Sequence, residues 1–165
     1  MSTAAVVLVL VTCAAAAFDV RTRRIPNALT GAAAIAALAV QVPAGAPAVL
    51  LSLAAMVAAF LAGSLAFSAG WFGGGDVKLV AVCCALAGFP GAFSLVLYVL
   101  VAGAILAVVT ALVRGRFLAL VRSTASVAAH GAPVQATPLP YAIAIAGGSI
   151  AYVVSSALPV LRLPL

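Results

Sequence analysis

The segment PAVLLSLAAMVAAFLAGSLAF, Pro47–Phe67, contains no charged residue and would extend about 30 Å as an α-helix, the thickness of a bilayer's hydrocarbon core. Similar apolar runs recur on both sides of it. Of the chain's 165 residues, 67% are hydrophobic and only 6% are charged. A soluble domain needs more polar residues than this to cover its exterior. The sequence therefore predicts one membrane-embedded domain that comprises residues 1–165.

Six apolar segments predict a polytopic, all-α integral membrane protein with about six transmembrane helices. Helices satisfy their own backbone hydrogen bonds in lipid, and runs such as AAAIAALAV lack the alternation of a β-barrel strand. The first, second and fourth segments are short, which local membrane thinning or a recessed cytoplasmic cavity would accommodate. The predicted spans are Thr3–Phe18, Pro26-Asn27 to about Val40, Pro47–Phe67, Asp76–Phe89, Ala92–Val113 and Tyr141–Leu158.

The positions of the basic residues predict that the N-terminus lies outside. In that orientation the connections Asp19–Pro26, Ser68–Gly75 and Arg114–Pro140 are cytoplasmic, and seven of the eight Lys and Arg residues lie on or beside the cytoplasmic face. The net charge of +6 is then explained by membrane topology. Because the sequence has no basic patch interleaved with aromatic residues, we expect no nucleic-acid partner.

The acidic residues of the chain are Asp19 and Asp76, since it contains no glutamate. Each has an ordinary structural explanation: Asp19 could pair with a nearby arginine, and Asp76 could cap a helix N-terminus. Two carboxylates on the same membrane face could instead share one proton. The ionised one would activate water and the protonated one would donate to the peptide. This pair predicts aspartic-protease chemistry, which requires neither a metal nor a cofactor.

Residues around Asp76 support the same interpretation. Gly73–Gly75 predict a glycine-rich loop at the start of helix 4, which would let a substrate backbone approach the acid. Lys78 lies on a different helix face from Asp76, and its default role is that of a cytoplasmic anchor. The three cysteines form no CxxC pair and His130 is the single histidine, so no metal site is expected.

Two segments resemble the prepilin peptidase family, a branch of the GxGD aspartic membrane proteases. FDVRTRRIPNALT, Phe18–Thr30, resembles the family's first aspartate with its basic stretch and Ile-Pro-Asn. GGGDVKL, Gly73–Leu79, resembles the GxGD motif, and PLPYAIAIAGG, Pro138–Gly148, is a weaker match to a late span. The resemblance implies that Asp19 and Asp76 are catalytic, with motif support from Gly73, Gly75, Lys78, Pro26 and Asn27.

The resemblance also implies a reaction and a location. Family members remove a basic leader from type IV prepilins at the cytoplasmic face of the bacterial inner membrane, typically after a glycine that precedes the pilin's apolar helix. The partners would be that prepilin and membrane lipid. Larger members also N-methylate the product and carry paired CxxC motifs after the first span. Asp19–Pro26 has no cysteine, so the chain resembles the short Flp/Tad type, for which we expect cleavage without methylation.

Three other functions are compatible with parts of this pattern. A preflagellin-type or other GxGD protease would differ in its substrate. A non-catalytic scaffold for pilus or secretion assembly would tolerate Asp→Asn at both positions. A small transporter would use acids near midspan as proton or cation sites, whereas both acids here are predicted at one face. The sequence identifies neither the cognate pilin nor the oligomeric state.

Overall fold

The computed structural model describes residues 2–115 and 141–158, and all regular secondary structure in these ranges is helical. The prediction of an all-α fold is confirmed, because each predicted apolar segment coincides with one helix. The long connection Arg114–Pro140 lies almost wholly outside the described residues. The helices are α1 Thr3–Thr22, α2 Asn27–Gln41, α3 Ala46–Ser68, α4 Gly74–Ala87, α5 Gly91–Val113 and α6 Tyr141–Ala157, with a 3-10 turn at Val42–Ala44.

Most helix ends lie within one or two residues of the prediction, and two of the differences concern an acidic residue. Helix α1 continues past Phe18 to Thr22, so Asp19 lies inside a helix and not in the connection that follows it. The backbone carbonyl of Asp19 accepts the N–H of Arg23, whose left-handed conformation (φ 54°) ends the helix. The connection between α1 and α2 is therefore shorter than expected.

The expected glycine-rich loop before Asp76 is an N-cap and a first helical turn. Gly73 is extended (φ −76°, ψ 146°), and its carbonyl accepts the N–H of Val77 at 3.2 Å. Gly74 and Gly75 are consequently helical, and Asp76 is the third residue of α4 rather than its N-cap. Glycine disfavours helix by roughly 1 kcal/mol relative to alanine, so tertiary packing must override the local preference here.

Helix α4 lies at the centre of the bundle. It packs against α1, α2, α3, α5 and α6, and eight of its fourteen residues are buried. A helix that is apolar on every face, as the segment from Leu79 to Ala87 is, is expected in such a position. The residue that begins this buried segment, Leu79, is fully inaccessible. The central helix therefore carries Asp76 at one of its ends.

Four segments are long and apolar enough to cross a membrane: α1, α2 with the 3-10 turn, α3 and α5. Helix α6 is apolar but shorter. Large apolar side chains on the outer surface are strongly exposed, among them Ile35 and Leu65, at 73% each. Exposed apolar surface on this scale is unfavourable in water and favourable in lipid. The chain is a membrane protein by these criteria, and the count of six spans and their orientation stay predictions.

The far end of α4 terminates inside the bundle, where its last carbonyls need hydrogen-bond donors. The carbonyl of Ala85 accepts the buried Ser52 hydroxyl of α3 at 2.7 Å and the Gln41 amide of α2 at 3.4 Å. Terminal carbonyls have no intrahelical partner, and apolar side chains around them offer no hydrogen-bond donor. These two side chains therefore allow a helix too short for a bilayer to end where it does.

Helix α6 lies directly on the backbone of α5. A Cβ atom added to Gly148 would lie 2.5 Å from the Cα atom of Val99, a distance at which the backbones would have to separate. The absence of a side chain at this glycine allows the close approach. It fixes α6 against the bundle, and with it the first turn of α6, which contacts Asp19.

Candidate active site

Asp19 is a buried residue near the end of α1 and is 9% exposed. Its Oδ2 atom accepts the backbone N–H of Ala142 at 3.4 Å. That N–H belongs to the first turn of α6, where amide groups have no intrahelical acceptor. The side chain of Asp19 therefore connects α1 to the start of α6. The sequence indicated a nearby arginine or Asp76 as the neighbour of Asp19, and nothing in the local sequence indicates a partner in α6.

Asp76 lies in the first turn of α4, and the two motif glycines before it, Gly73 and Gly75, have separate steric roles. A Cβ atom on Gly73 would lie 2.9 Å from Oδ2 of Asp76, so only glycine leaves the carboxylate its present position. A Cβ atom on Gly75 would lie 3.3 Å from Cβ of Ile25, in the connection between α1 and α2. At Gly74 the nearest atom, from Phe67, would be at an ordinary 3.7 Å.

Both acids line one cleft of about 290 Å³, where α1, the connection to α2 and the start of α4 meet. The structure thus brings together the two residues that the sequence singled out. The rest of the lining consists of Arg23, Arg24, Ile25, Asn27 and the three glycines Gly73, Gly74 and Gly75. One side of the cleft is therefore formed by glycine backbone, which a substrate peptide can approach closely.

The pKa of Asp76 is set by its position in the first turn of α4, just before the buried segment of that helix. Burial, and secondly the neighbouring Asp19 carboxylate, raise the pKa of Asp76 from its ordinary value of 3.8 to about 6, against an opposing hydrogen bond from the Gly73 backbone. Desolvation and a nearby like charge both disfavour the ionised form. Asp76 can therefore hold a proton at a pH where an exposed aspartate would have lost it.

The remaining predicted motif residues lie beside the cleft. Pro26 precedes α2, and its carbonyl accepts the N–H groups of Leu29 and Thr30, which starts the helix. Asn27, the first residue of α2, lines the cleft, and its Oδ1 accepts the Lys78 ammonium of α4 at 2.8 Å. Lys78 therefore has a specific partner in α2 and is more than a membrane-surface anchor. The two motif segments contact each other through this pair.

A second cavity, of about 190 Å³, adjoins Asp76 on its apolar side. It lies between α3, α4 and α5 and is bordered by the rings of Phe72 and Tyr141, which pack edge to face at 4.9 Å. Sequence reasoning missed this cavity. The available signal was a row of small residues at helical spacing on α3, namely Ala59, Ala62, Gly63 and Ala66.

Comparison with known proteins supplies the family. The model of the type IV leader peptidase family matches residues 6–108, which extend from α1 into α5 and include both acids. No curated protein and no solved structure matches the chain.

Proposed function

The chain belongs to the type IV leader peptidase family, and from that premise we propose that it is an aspartic endopeptidase that removes the leader of a type IV prepilin of the Flp class. The observation that carries the proposal is that Asp19 and Asp76 line the same cleft. Because the sequence contains no other acid, any chemistry that requires two carboxylates must use this pair.

In the proposed mechanism a water molecule is activated between the two side chains. The raised pKa of Asp76 supports this residue as the member that holds the proton. Asp19 then takes a proton from the attacking water, while Asp76 donates to the carbonyl oxygen of the scissile peptide. Collapse of the tetrahedral intermediate returns a proton to the leaving amine. Each carboxylate alternates between base and acid, as in other two-carboxylate hydrolases.

The substrate would be a prepilin with a basic leader and an apolar helix, cut at the cytoplasmic face of the bacterial inner membrane. The cleft lies where α1 ends and α4 begins, so the acids are near one edge of the bundle. Arg23 and Arg24 line it, and we therefore do not expect charge attraction to draw in the leader. We propose cleavage without N-methylation, because Asp19–Pro26 carries no cysteine.

Co-expression with candidate Flp-type prepilins tests the proposal. The wild-type chain should convert a prepilin to a faster-migrating product whose mass equals that of the pilin without its leader and without a methyl group. A double variant, Asp19→Asn with Asp76→Asn, should leave the prepilin uncut although it reaches the membrane in equal amount. Processing by the double variant would favour a non-catalytic assembly scaffold instead, with another protease doing the cutting.

A further inference from the structure

Asp76 borders two cavities of opposite character. The cleft on one side contains Asp19, two arginines and exposed glycine backbone. The cavity on the other side is apolar, and among the described residues that line it Asp76 is the charged one. If the scissile bond of a substrate is held at Asp76, the substrate residues on one side of that bond have polar surroundings. Those on the other side have apolar surroundings.

Small residues on α3 create the apolar cavity. Ala59, Ala62, Gly63 and Ala66 follow the pattern i, i+3, i+4, i+7, so they share one face of the helix. At Gly63 even a methyl group would lie 2.8 Å from Cγ1 of Val77 in α4. Both α3 and α5 pack on α4, which provides the floor between them. Because Ala62 and Leu100, on opposite walls, are exposed, the cavity opens sideways to the lipid.

We propose that this cavity is the subsite for a large apolar side chain on the residue directly after the scissile bond, and that the substrate's helix reaches it from the lipid between α3 and α5. The inference rests on the proposed function and adds a determinant of specificity. A volume of about 190 Å³ accommodates one large side chain, whereas a helix is about 10 Å across. The helix of the substrate therefore stays outside while a single side chain enters.

The order of polar and apolar segments in the substrate fixes which side of the scissile bond enters. A basic side chain from the leader would lose its hydration in the cavity, which is unfavourable, while an apolar side chain gains from the transfer. A further groove, between α2, α3 and α4, contains Lys78 but neither acid. A side chain bound there would not place its own peptide bond at Asp76, so that groove is not the subsite.

The test is a change of specificity produced by filling the cavity. Ala66→Leu adds bulk to the wall, and Ala58→Leu adds the same bulk on an exposed face of the same helix that does not line the cavity. Each variant is assayed on a prepilin that the wild-type chain cleaves, with either Phe or Ala as the first residue after the scissile bond.

The wild-type chain and Ala58→Leu should prefer the Phe form by about tenfold or more in kcat/KM. Ala66→Leu should lose about tenfold on the Phe form and change little on the Ala form, which removes the preference. Equal slowing of both forms, or no slowing of either, would overturn the subsite. Failure of the wild-type chain to cut any prepilin would instead overturn the proposed function. Failure of the subsite and failure of the proposed function therefore give different results.

Cross-linking provides a second measurement that does not depend on the stability of the Ala66→Leu variant. The Asp19→Asn chain, which should hold the prepilin uncut, is irradiated with a prepilin that carries benzoylphenylalanine directly after the scissile bond. Cross-links to peptides from α3 or α5 support the subsite. Cross-links confined to α2 or to Arg23–Asn27 contradict it.

Discussion

Helices α3 and α4 differ in the surroundings that each requires. Helix α3 has 23 residues, of which Ser52 and Ala55 are buried, and it carries no charged residue. Helix α4 has 14 residues, eight of them buried, and it carries Asp76 and Lys78. Charged side chains in contact with lipid are costly, so a helix that bears them needs other helices around it. The long apolar helix α3 thus lies at the outside of the bundle, and the short central helix α4 bears one of the two proposed catalytic acids.

The same difference appears in the hydrogen bonds of the two helices. Hydroxyl groups at Ser64 and Ser68 of α3 bond to carbonyls of their own helix. The Ala85 carbonyl of α4 depends on donors from α2 and α3. Helix α3 could therefore be inserted into lipid by itself, whereas α4 is complete only when the bundle has assembled around it.

The largest predicted effect is the loss of cleavage activity when Asp76 of α4, or Asp19 beside it, is replaced. Asp76→Asn and Asp19→Asn should each lower the cleavage rate by about 10³-fold, since each removes one half of a general acid–base pair. Leu61→Ala, on the exposed face of α3, should change the rate by less than about twofold. Cleavage rates in membranes, normalised to the amount of protein, measure this. Wild-type rates from either aspartate variant would contradict the site.

The second prediction concerns pH and depends on Asp76 as the proton-holding member. Below a pH of about 6 Asp76 is protonated and can donate, and above it the proton is lost. The value of kcat/KM should therefore fall by about tenfold per pH unit above the upper apparent pKa of the pair. A rate that still rises at a pH of about 10, with the protein intact, would show that no protonated carboxyl is required.

The third prediction compares two neighbouring glycines at the start of α4. In Gly73→Ala the new methyl group would displace the Asp76 carboxylate, so cleavage should fall by about tenfold or more. Stability should be unchanged, because alanine adopts the extended conformation of Gly73 freely. Gly74→Ala meets only an ordinary contact with Phe67 and leaves the Asp76 carboxylate in place, so its cleavage rate should fall less than that of Gly73→Ala. Equal cleavage rates for the two variants would show that Gly73 does not determine the position of the Asp76 carboxylate.

Much of this fold could be predicted from the sequence, because lipid imposes a length and an apolar composition on each span. Those constraints predicted the six α-helices of the described residues, and the two acids stood out because the sequence has no others. The ends of α1 and α4 did not: Asp19 lies within a helix and contacts Ala142, a partner 123 positions away, while Gly74 and Gly75 are helical against their propensity. Nor could apolarity alone distinguish the buried α4 from the lipid-facing α3, since lipid and protein interior favour the same residues.

The smallest predicted effect tests whether α4 depends on α3 at its far end. In Ser52→Ala the Ala85 carbonyl loses its 2.7 Å donor and keeps only the Gln41 amide at 3.4 Å. Hydrogen bonds between membrane helices contribute about 0.6–2 kcal/mol, so the free energy of unfolding should fall by about 1 kcal/mol. Ser64→Ala is the matched control, because the Phe60 carbonyl that accepts its hydroxyl lies in the same helix and also has a backbone donor. The free energy of unfolding of Ser64→Ala should change by close to zero.

Unfolding in detergent, monitored by circular dichroism, compares the two variants. Cleavage by Ser52→Ala at low temperature should match the wild-type rate, since Ala85 lies about 14 Å along the helix from Asp76. Equal destabilisation by the two serine variants would mean that α3 supports α4 through packing alone.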